Sequence, residues 1–191
     1  MLSSGVAGTL FKAALVVWVA GELYTQRRNR AYAEGSKDPT YYVMVAGWVG
    51  GIDGAIVLAS EVHSAGITGG DAWPAAIGLA VMAAGLGFRA WSIVTLGRFF
   101  THSLNVQEGQ HVVEDGPYGL LRHPSYTGQM VAFVGMGLAL DNWLSLAVAV
   151  LLPLAAVLIR IRAEEAALDR ELGDAYRSYS ARTRRLVPGV W

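Results

Sequence analysis

Hydrophobic residues form five long runs along this chain, separated by short polar segments. The runs cover about Gly5–Tyr24, Tyr42–Val62, Ala72–Leu96, Tyr126–Leu140 and Trp143–Ile161. Most of them approach the ~20 apolar residues that a helix needs to cross a bilayer. The fourth run is shorter, so we expect it to be tilted or partly re-entrant. The pattern predicts an all-α, polytopic integral membrane protein with about five transmembrane helices.

Polar segments organise the second half of the chain. Only Asp141 and Asn142 separate the last two runs, which predicts a tight antiparallel hairpin. The polar segment Gly97–Tyr118 is too long for a simple connection and is typical of a functional loop. Residues Ala163–Tyr179 carry apolar side chains near one helical face and charges largely elsewhere, which predicts an amphipathic C-terminal helix.

Composition supports a membrane protein and excludes some chemistries. The chain has 191 residues, of which 53% are hydrophobic and 16% are charged. Soluble domains usually contain roughly 25% charged residues. There is no cysteine, which excludes disulfides and thiolate chemistry. The four histidines have no metal-ligand spacing, so we predict no metal site.

Basic residues are concentrated in alternate connections, although the formal net charge is zero. By the positive-inside rule, the first loop, the segment after the third run and the tail should be cytoplasmic. The N-terminus should then lie outside the cell membrane. A membrane surface explains the basic tail better than nucleic acid does. The basic residues of these segments are Arg27, Arg28, Arg30, Lys37, Arg98, Arg122, Arg160, Arg162, Arg170, Arg177, Arg182, Arg184 and Arg185.

Four charged residues fall inside the first three runs. An unpaired charge in the middle of a membrane costs several kcal/mol, so we expect pairing or a wet cavity. Depths counted along the helices predict two pairs, Lys12 with Asp53 and Glu22 with Arg89. The alternative is that these charges form a polar wall of a substrate cavity.

Glycines recur within the apolar runs. Because small residues let helices approach closely in lipid, we predict that these positions mark helix–helix contacts. The glycines concerned are Gly47, Gly50, Gly51, Gly54, Gly78, Gly85, Gly87, Gly135 and Gly137.

A dense polar motif stands directly before the fourth run. It consists of Gly116-Pro117-Tyr118 followed by the segment Arg122–Gly128. Pro124 suits the first turn of a helix, where a missing N–H costs nothing. That helix start would present free N–H groups and a partial positive charge to a carboxylate or phosphate. The alternative interpretation is ordinary anchoring of the chain at the membrane interface.

A second motif, Arg160-x3-Glu164-Glu165, ends the fifth run. Arg160 and Glu164 are four residues apart and therefore share one helical face. A helix ion pair with interfacial anchoring would explain this motif alone. The hairpin, however, brings it to the same membrane surface as Arg122–Tyr126, and that combination favours a functional site.

These motifs resemble those of the isoprenylcysteine carboxyl methyltransferase family, which is related to membrane phospholipid methyltransferases. The resemblance covers roughly Gly97 to Trp191 and depends on the order and spacing of the motifs. They are Gln110-His111-Val112-Val113, Gly116-Pro117-Tyr118, Arg122-His123-Pro124-Ser125-Tyr126-x-Gly128, Asn142, Arg160-x3-Glu164-Glu165, Tyr176-x2-Tyr179 and Arg185-Leu186-Val187-Pro188.

The resemblance implies a membrane enzyme that uses S-adenosylmethionine. Residues 97–191 would then form the catalytic methyltransferase region, joined in a single structural domain to three transmembrane helices in 1–96. Arg160 falls at the position that holds the substrate carboxylate, and Asn142 matches a family Asn, so both are assigned as catalytic. The implied cofactor contacts are Gln110, His111, Val112, Val113, Tyr118, His123, Pro124, Ser125, Tyr126 and Glu164. Eukaryotic members have His-Thr-Leu-Val where this chain has Gln110–Val113, so the histidine is displaced by one position.

The implied activity is methyl transfer to a lipophilic acceptor that enters from the bilayer among the membrane lipids. The resemblance favours the carboxylate of an isoprenylcysteine-type substrate. A phospholipid N-methyltransferase is an alternative, with His123 or His111 as the base that an amine acceptor needs. An NADPH-dependent sterol-type reductase, which has a similar Arg-His-Pro-x-Tyr segment, and a non-catalytic membrane protein are further alternatives.

Overall fold

The chain folds into a bundle of antiparallel helices. The structure, a computed structural model, describes residues 6–28, 38–68, 71–101, 103–104 and 106–189. Its α-helices are α1 (Val6–Arg28), α2 (Pro39–Glu61), α3 (Trp73–Leu96), α4 (Pro124–Ala139), α5 (Trp143–Leu172) and α6 (Asp174–Arg182). Short 3₁₀ turns occur at His63–Ala65, Gly97–Phe99 and Gly116–Gly119.

The prediction of an all-α, multi-pass membrane fold is confirmed. The helices α1, α2 and α5 and the segment Trp73–Phe99 are each long and apolar enough to cross a membrane. The helix α4 has 16 residues, so it is roughly 24 Å long at 1.5 Å per residue. A bilayer has a hydrocarbon core about 30 Å thick. Since α4 runs beside α3 but is shorter than that core, the count of five spans stays a prediction.

The helices α3 and α4 are in backbone contact along their length. Glycines spaced seven residues apart on each helix face the other helix, and no side chain separates the two backbones. A Cβ added at Gly135 would lie 2.3 Å from the backbone nitrogen of Met82, and one at Gly85 would lie 2.5 Å from that of Ala132. Such contact depends on small residues, as is usual between helices in lipid.

A second antiparallel contact joins α2 to α5. Pro153 lies inside α5, where its ring removes a hydrogen bond and needs space. That space is left by Gly51, since a Cβ there would lie 2.7 Å from Cγ of Pro153. Gly47 packs equally closely against Ala156. Gly87, by contrast, faces open space, so predicting a helix contact at that glycine was wrong.

One of the two predicted charge pairs is present. Arg89 donates from Nε and Nη2 to the two carboxylate oxygens of Glu22, at 2.7 and 2.8 Å, which confirms that pair. The pairing of Lys12 with Asp53 was wrong, because both side chains are exposed and the described residues contain no ion pair between them. The reason is that α1 packs along α3 whereas α2 packs on α5.

The predicted hairpin between α4 and α5 is confirmed, and it lies at the end of the bundle where α2 finishes. The side-chain oxygen of Asn142 accepts from the backbone N–H of Ser145 at 3.0 Å and so caps α5. Its Nδ2 donates to the carbonyl of Val62 at 2.7 Å. The Asp141 carboxylate accepts from the N–H and hydroxyl of Thr68. These bonds tie the hairpin to the segment that follows α2.

The predicted tail helix has different bounds. The helix α5 continues without a break from the apolar run to Leu172, because no residue between Arg160 and Leu172 interrupts it. The break comes at Gly173, which has a φ of 53° and occupies the left-handed region that favours glycine. The tail helix is therefore α6, and residues from Ala163 to Leu172 extend α5 beyond the apolar run.

The α3–α4 contact should be sensitive to a single methyl group. We expect Gly135→Ala to lower the free energy of unfolding by about 1–3 kcal/mol, because overpacking forces the two backbones apart. Thermal unfolding of the detergent-solubilised protein, followed by tryptophan fluorescence, would measure the change.

Gly87→Ala is the matched control on α3, since a Cβ there meets nothing within 4 Å. It should be neutral or slightly stabilising, because alanine favours helices over glycine. Equal melting temperatures for the two variants would contradict the claim of backbone contact.

Candidate active site

A cavity, called the pocket below, opens at the end of the bundle where α3 finishes and α4 begins. It contains about 1010 Å³ of space free of protein atoms, including the solvent at its mouth. Residues from the polar loop, the start of α4, the end of α5 and α6 line it, together with four from α2 and α3. They include Phe99, Phe100, Gln110, His111, Val112, Val113, Tyr118, Arg122, His123, Ser125, Tyr126, Glu164, Leu168, Leu172, Tyr176, Tyr179, Met44, Trp48 and Arg89.

The pocket brings together nearly all of the residues that were predicted to contact a cofactor. Gln110, His111, Val112, Val113, Tyr118, His123, Ser125, Tyr126 and Glu164 all line it. Pro124 does not line the pocket. It is fully buried at the first turn of α4. A proline suits this position because it has no N–H that would need a hydrogen-bond partner.

Sequence reasoning missed the contribution of the first half of the chain to this wall. Met44 and Trp48 on α2 line the pocket, and so does Arg89 on α3. Met44 and Trp48 stand in an ordinary apolar run without a motif. Only the charge of Arg89 marked it as unusual for its surroundings.

The chain after α6 holds the motif that starts α4. The backbone N–H of Arg122 donates to the carbonyl of Arg184 at 2.7 Å, and that of His123 donates to Arg185 at 3.1 Å. The N–H groups of Tyr126 and Thr127 both donate to the carbonyl of His123. The prediction of free N–H groups at this helix start therefore fails at His123 and Tyr126, while the bond from Thr127 is the first regular bond of α4.

Arg122 and Glu165 fasten the start of α4 to the tail. Arg122 donates from Nε to Glu165 at 2.8 Å and from Nη1 to the carbonyls of Ser180 and Thr183. The other oxygen of Glu165 accepts from Arg185 at 2.8 Å. These contacts give Arg122 and Glu165 a role in fixing the pocket wall.

Glu164 supplies an oriented carboxylate to the pocket. Its Oε1 accepts from the hydroxyl of Tyr126 at 2.6 Å and from Nε of Arg160 at 2.8 Å. Its Oε2 lies 3.5 Å from Nδ1 of His123. Since the side chain keeps 20% of its surface exposed, this carboxylate can still reach a ligand.

Arg160 lies behind Glu164, outside the pocket wall. Its side chain is buried, and Nη1 donates to the carboxylate of Asp38 and to the hydroxyl of Thr40, the latter at 3.0 Å. Its Nε donates to Glu164. Two protein carboxylates contact the guanidinium, through which Arg160 positions Glu164 and the start of α2. The assignment of Arg160 to a substrate carboxylate stays a prediction.

The structure also places Asn142 away from the pocket. It caps α5 at the opposite end of the bundle, about 27 Å along that helix from Arg160 at 1.5 Å per residue. Its side-chain oxygen and Nδ2 are both hydrogen-bonded to the backbone. Asn142 therefore has a capping role in this structure, and its assignment as catalytic stays a prediction.

His123 is a buried imidazole between two carboxylates. Burial alone would lower the pKa of His123, but its contacts with Glu164 and Glu165 outweigh burial and raise the pKa above the usual value. Its Nε2 lies 3.4 Å from Glu165. The imidazole ring also stacks on the ring of Tyr126, with centroids 5.9 Å apart. These two carboxylates therefore favour the protonated imidazolium form of His123.

Tyrosines of the tail region complete the wall as hydrogen-bond donors. Burial raises the pKa of Tyr179 to about 12, so its hydroxyl keeps its proton and donates to the carbonyls of Tyr118 and Leu121 at 2.8 and 3.2 Å. Burial also raises the pKa values of Tyr118 and Tyr176. Their phenols are thus neutral donors across the physiological pH range.

Two polar atoms of the pocket wall have no hydrogen-bond partner among the described residues. Trp48 Nε1 and the hydroxyl of Tyr176 are both buried without one, whereas His123 Nε2 faces Glu165. Buried polar groups in proteins are nearly always satisfied. Two unsatisfied groups around one cavity indicate that a polar ligand fits there.

Fold and site together define a class, namely a multi-pass helical membrane protein with a polar ligand pocket at one end of its helix bundle. Comparison with known sequences then gives the family. The isoprenylcysteine carboxyl methyltransferase (ICMT) family matches residues 76–170, about half of the chain and the part that contains α4 and most of the pocket. The chain belongs to this family.

Individual relatives agree with that assignment. Protein-S-isoprenylcysteine O-methyltransferase B of Arabidopsis thaliana is 32% identical over 120 residues, which are 62% of this chain and 61% of the relative. Protein-S-isoprenylcysteine O-methyltransferase of Schizosaccharomyces pombe is 30% identical over 102 residues, 52% of this chain and 43% of the relative. This chain thus spans less than two thirds of the length of the curated relatives it matches.

The fold has a solved counterpart. The structure of the eukaryotic intramembrane Ras methyltransferase ICMT superposes with a TM-score of 0.62 at 23% sequence identity. The superposition covers 98% of this chain and 69% of the other. It supports the helical membrane fold described above.

The raised pKa of His123 makes stability depend on pH. A group whose folded pKa lies above its unfolded value, here about 6.5, stabilises the fold fully below that value. The contribution is lost as pH rises through the folded pKa. We therefore expect the melting temperature to fall as the pH rises above about 6.5, and His123→Gln to flatten that fall in a thermal-shift series.

The exposed His63, at the opposite end of the bundle, provides the control. His63→Gln should keep the wild-type slope of melting temperature against pH. An unchanged slope in His123→Gln would show that His123 does not carry the effect.

Proposed function

We propose that the pocket binds S-adenosylmethionine and that the protein transfers its methyl group to a lipid-linked acceptor. The acceptor class is the carboxylate of an isoprenylcysteine-type lipid, as the names of the curated relatives state for those proteins. One observation is the main support for the proposal. Residues of the family motifs, which are spread over Gln110–Glu164 in the sequence, line one cavity, and buried polar groups in its wall lack a hydrogen-bond partner among the described residues.

The wall suits the different parts of this cofactor. S-adenosylmethionine combines a sulfonium and an ammonium cation, a carboxylate, hydroxyls and an adenine ring. The Glu164 carboxylate would hold a cationic group, and His123 and the Tyr176 hydroxyl would serve oxygen atoms. Phe99 and the segment Val112–Val113 offer apolar surface to the adenine. When bound, the cofactor would supply a methyl group to the acceptor oxygen, with the electrons of the broken C–S bond remaining on sulfur.

The protein's part in such a reaction is orientation and exclusion of water. A carboxylate is already ionised at neutral pH, so it needs no general base. Arg160 fixes Glu164, and Arg122 with Glu165 fixes the tail against the start of α4. The alignment of two reactants in a closed pocket can supply a large part of a rate enhancement. We assign the cofactor contacts to Gln110, His111, Val112, Val113, Tyr118, His123, Ser125, Tyr126 and Glu164.

We further propose that the pocket faces the cytoplasm of a cell membrane and that the N-terminus lies outside. The helices α1, α3 and α5 all end on the pocket side, while the hairpin and the end of α2 lie on the other. Arg27 and Arg28 finish α1 at the pocket side, and the basic tail lies there too. The positive-inside rule assigns this side to the cytoplasm. Arg30 and Lys37 lie outside the described residues.

Binding of the cofactor tests the proposal directly. Isothermal titration of the solubilised protein should show binding of S-adenosylmethionine and none of NADPH. Glu164→Gln should weaken the binding about 10- to 100-fold, because a charge-assisted contact is lost. Glu171→Gln, the same change at an exposed position of the same helix, is the control and should bind as the wild type does.

The acceptor is tested by incubating the protein with labelled S-adenosylmethionine, prenylated peptides and membrane lipids. Mass spectrometry should find label as a base-labile methyl ester on a lipid-linked carboxylate. Label on amine nitrogen would favour phospholipid N-methylation instead. Binding of NADPH without S-adenosylmethionine would show that the chain is not a methyltransferase.

A further inference from the structure

Two charged residues of the membrane-spanning helices face outward from the bundle. Lys12 on α1 and Asp53 on α2 are exposed, and the described residues offer neither of them an ion pair or hydrogen bond. At 1.5 Å per residue, Lys12 lies roughly 9 Å from the start of α1 and Asp53 roughly 12 Å from the end of α2. Both of these helix ends lie on the side opposite the pocket, so the two charges have similar depths. A charge exposed to lipid at such a depth is costly and needs a partner.

The neighbours of these residues show that the surrounding surface faces lipid. Asp53 lies one helical turn from Val49 and one turn from Val57, and Lys12 lies one turn before Val16. All three valines expose more than half of their surface. A lysine can extend its ammonium group along the helix toward the membrane interface. The short side chain of Asp53 cannot do so, and it therefore has the greater need of a partner within the membrane.

The helices α1 and α2 form one layer of the bundle, which covers the other helices. The helix α1 packs along α3 and α2 packs along α5, and both contribute to the core cluster around Phe133 of α4. On α1, Gly21 marks the side toward α3, where it lines a cavity between the two helices. Lys12 lies about two and a half turns away, hence on the side toward α2. The outer surface of this layer, called the α1–α2 face below, is defined by Lys12, Val16, Val49, Asp53 and Val57.

We propose that the α1–α2 face is an interface between two copies of this chain, in which Lys12 of each copy pairs with Asp53 of the other. A dimer with twofold symmetry brings the same surface of both copies together. A surface with a cation and an anion at similar depth is therefore complementary to itself, and the pairing removes all four charges from lipid. Exposed small residues beside the charges, Thr9, Ala13 and Ala46, allow helices to approach closely in lipid. This inference goes beyond the proposed function and does not depend on it.

Two charge reversals test the pairing. Lys12→Asp gives a copy with two anions on the α1–α2 face, and Asp53→Lys gives a copy with two cations. In a dimer of either variant with itself, like charges would meet, whereas in a dimer of one variant with the other every charge meets an opposite one. The measurement is the recovery of one affinity tag through another after co-expression of two differently tagged copies.

We expect wild-type copies to recover each other from solubilised membranes. Recovery should fall at least about tenfold for K12D with K12D and for D53K with D53K, since like charges in contact cost enough for such a change. It should return to the wild-type value for K12D with D53K. A general loss of folding in either variant could not produce that rescue.

Cysteine cross-linking tests the same contact without reversing a charge. The chain has no cysteine, so an introduced cysteine is the sole thiol. A K12C copy mixed with a D53C copy keeps one intact pair of Lys12 with Asp53, and a short thiol-to-thiol reagent should join the two cysteines. The matched control is Leu151→Cys, an exposed position of α5 at about the same depth as Asp53. It should give no cross-link to K12C.

Each failure has a distinct reading. Wild-type copies that do not recover each other, or K12D copies that recover each other as the wild type does, would overturn the inference. If a reversed variant does not fold, the cross-link decides, and equal yields from D53C and L151C would overturn it. The Kd for S-adenosylmethionine, measured on K12D, should stay within about twofold of the wild-type value because the pocket is at the other end of the bundle. If the wild type does not bind that cofactor, the proposed function falls while the tag recovery still decides the interface.

Discussion

The contact between the backbones of α3 and α4 is the constraint on which the rest of the site depends. A Cβ at Gly128 would lie 2.6 Å from the backbone nitrogen of Arg89, so there is no room for even one methyl group between the two helices there. This contact brings Arg89 within hydrogen-bond distance of the Ser125 carbonyl, at the first turn of α4. It therefore sets the distance between a membrane-buried cation and the motif that lines the pocket.

Charges on the pocket side are arranged as a connected network. Asp38 at the start of α2 binds Arg160 of α5, and Arg160 binds Glu164, which also contacts the start of α4 through Tyr126. Each buried charge has an oppositely charged neighbour, which offsets the cost of removing it from water. The network explains how a small bundle holds a polar pocket at its end while most of its surface is apolar.

The sequence predicted the helices and the hairpin well, because hydrophobic runs and turn residues are local signals. Depth along a helix also predicted the pair of Glu22 with Arg89. The same reasoning failed for Lys12 with Asp53, since depth does not say which face a residue occupies or which helices are neighbours. Motif spacing located Arg160 but could not show that Asp38 covers it. Trp48 carried no local signal, and only the packing of α2 against the pocket revealed it.

The pairing of residues 184 and 185 with the segment that starts α4 has a consequence for the order of assembly. The first three helices can enter the bilayer and form the Glu22–Arg89 pair while the rest is still being synthesised. The wall of the pocket, however, is incomplete until residue 185 has left the ribosome and docked on Arg122 and His123. A nascent chain could thus place its first three helices in the membrane before it has a complete polar pocket.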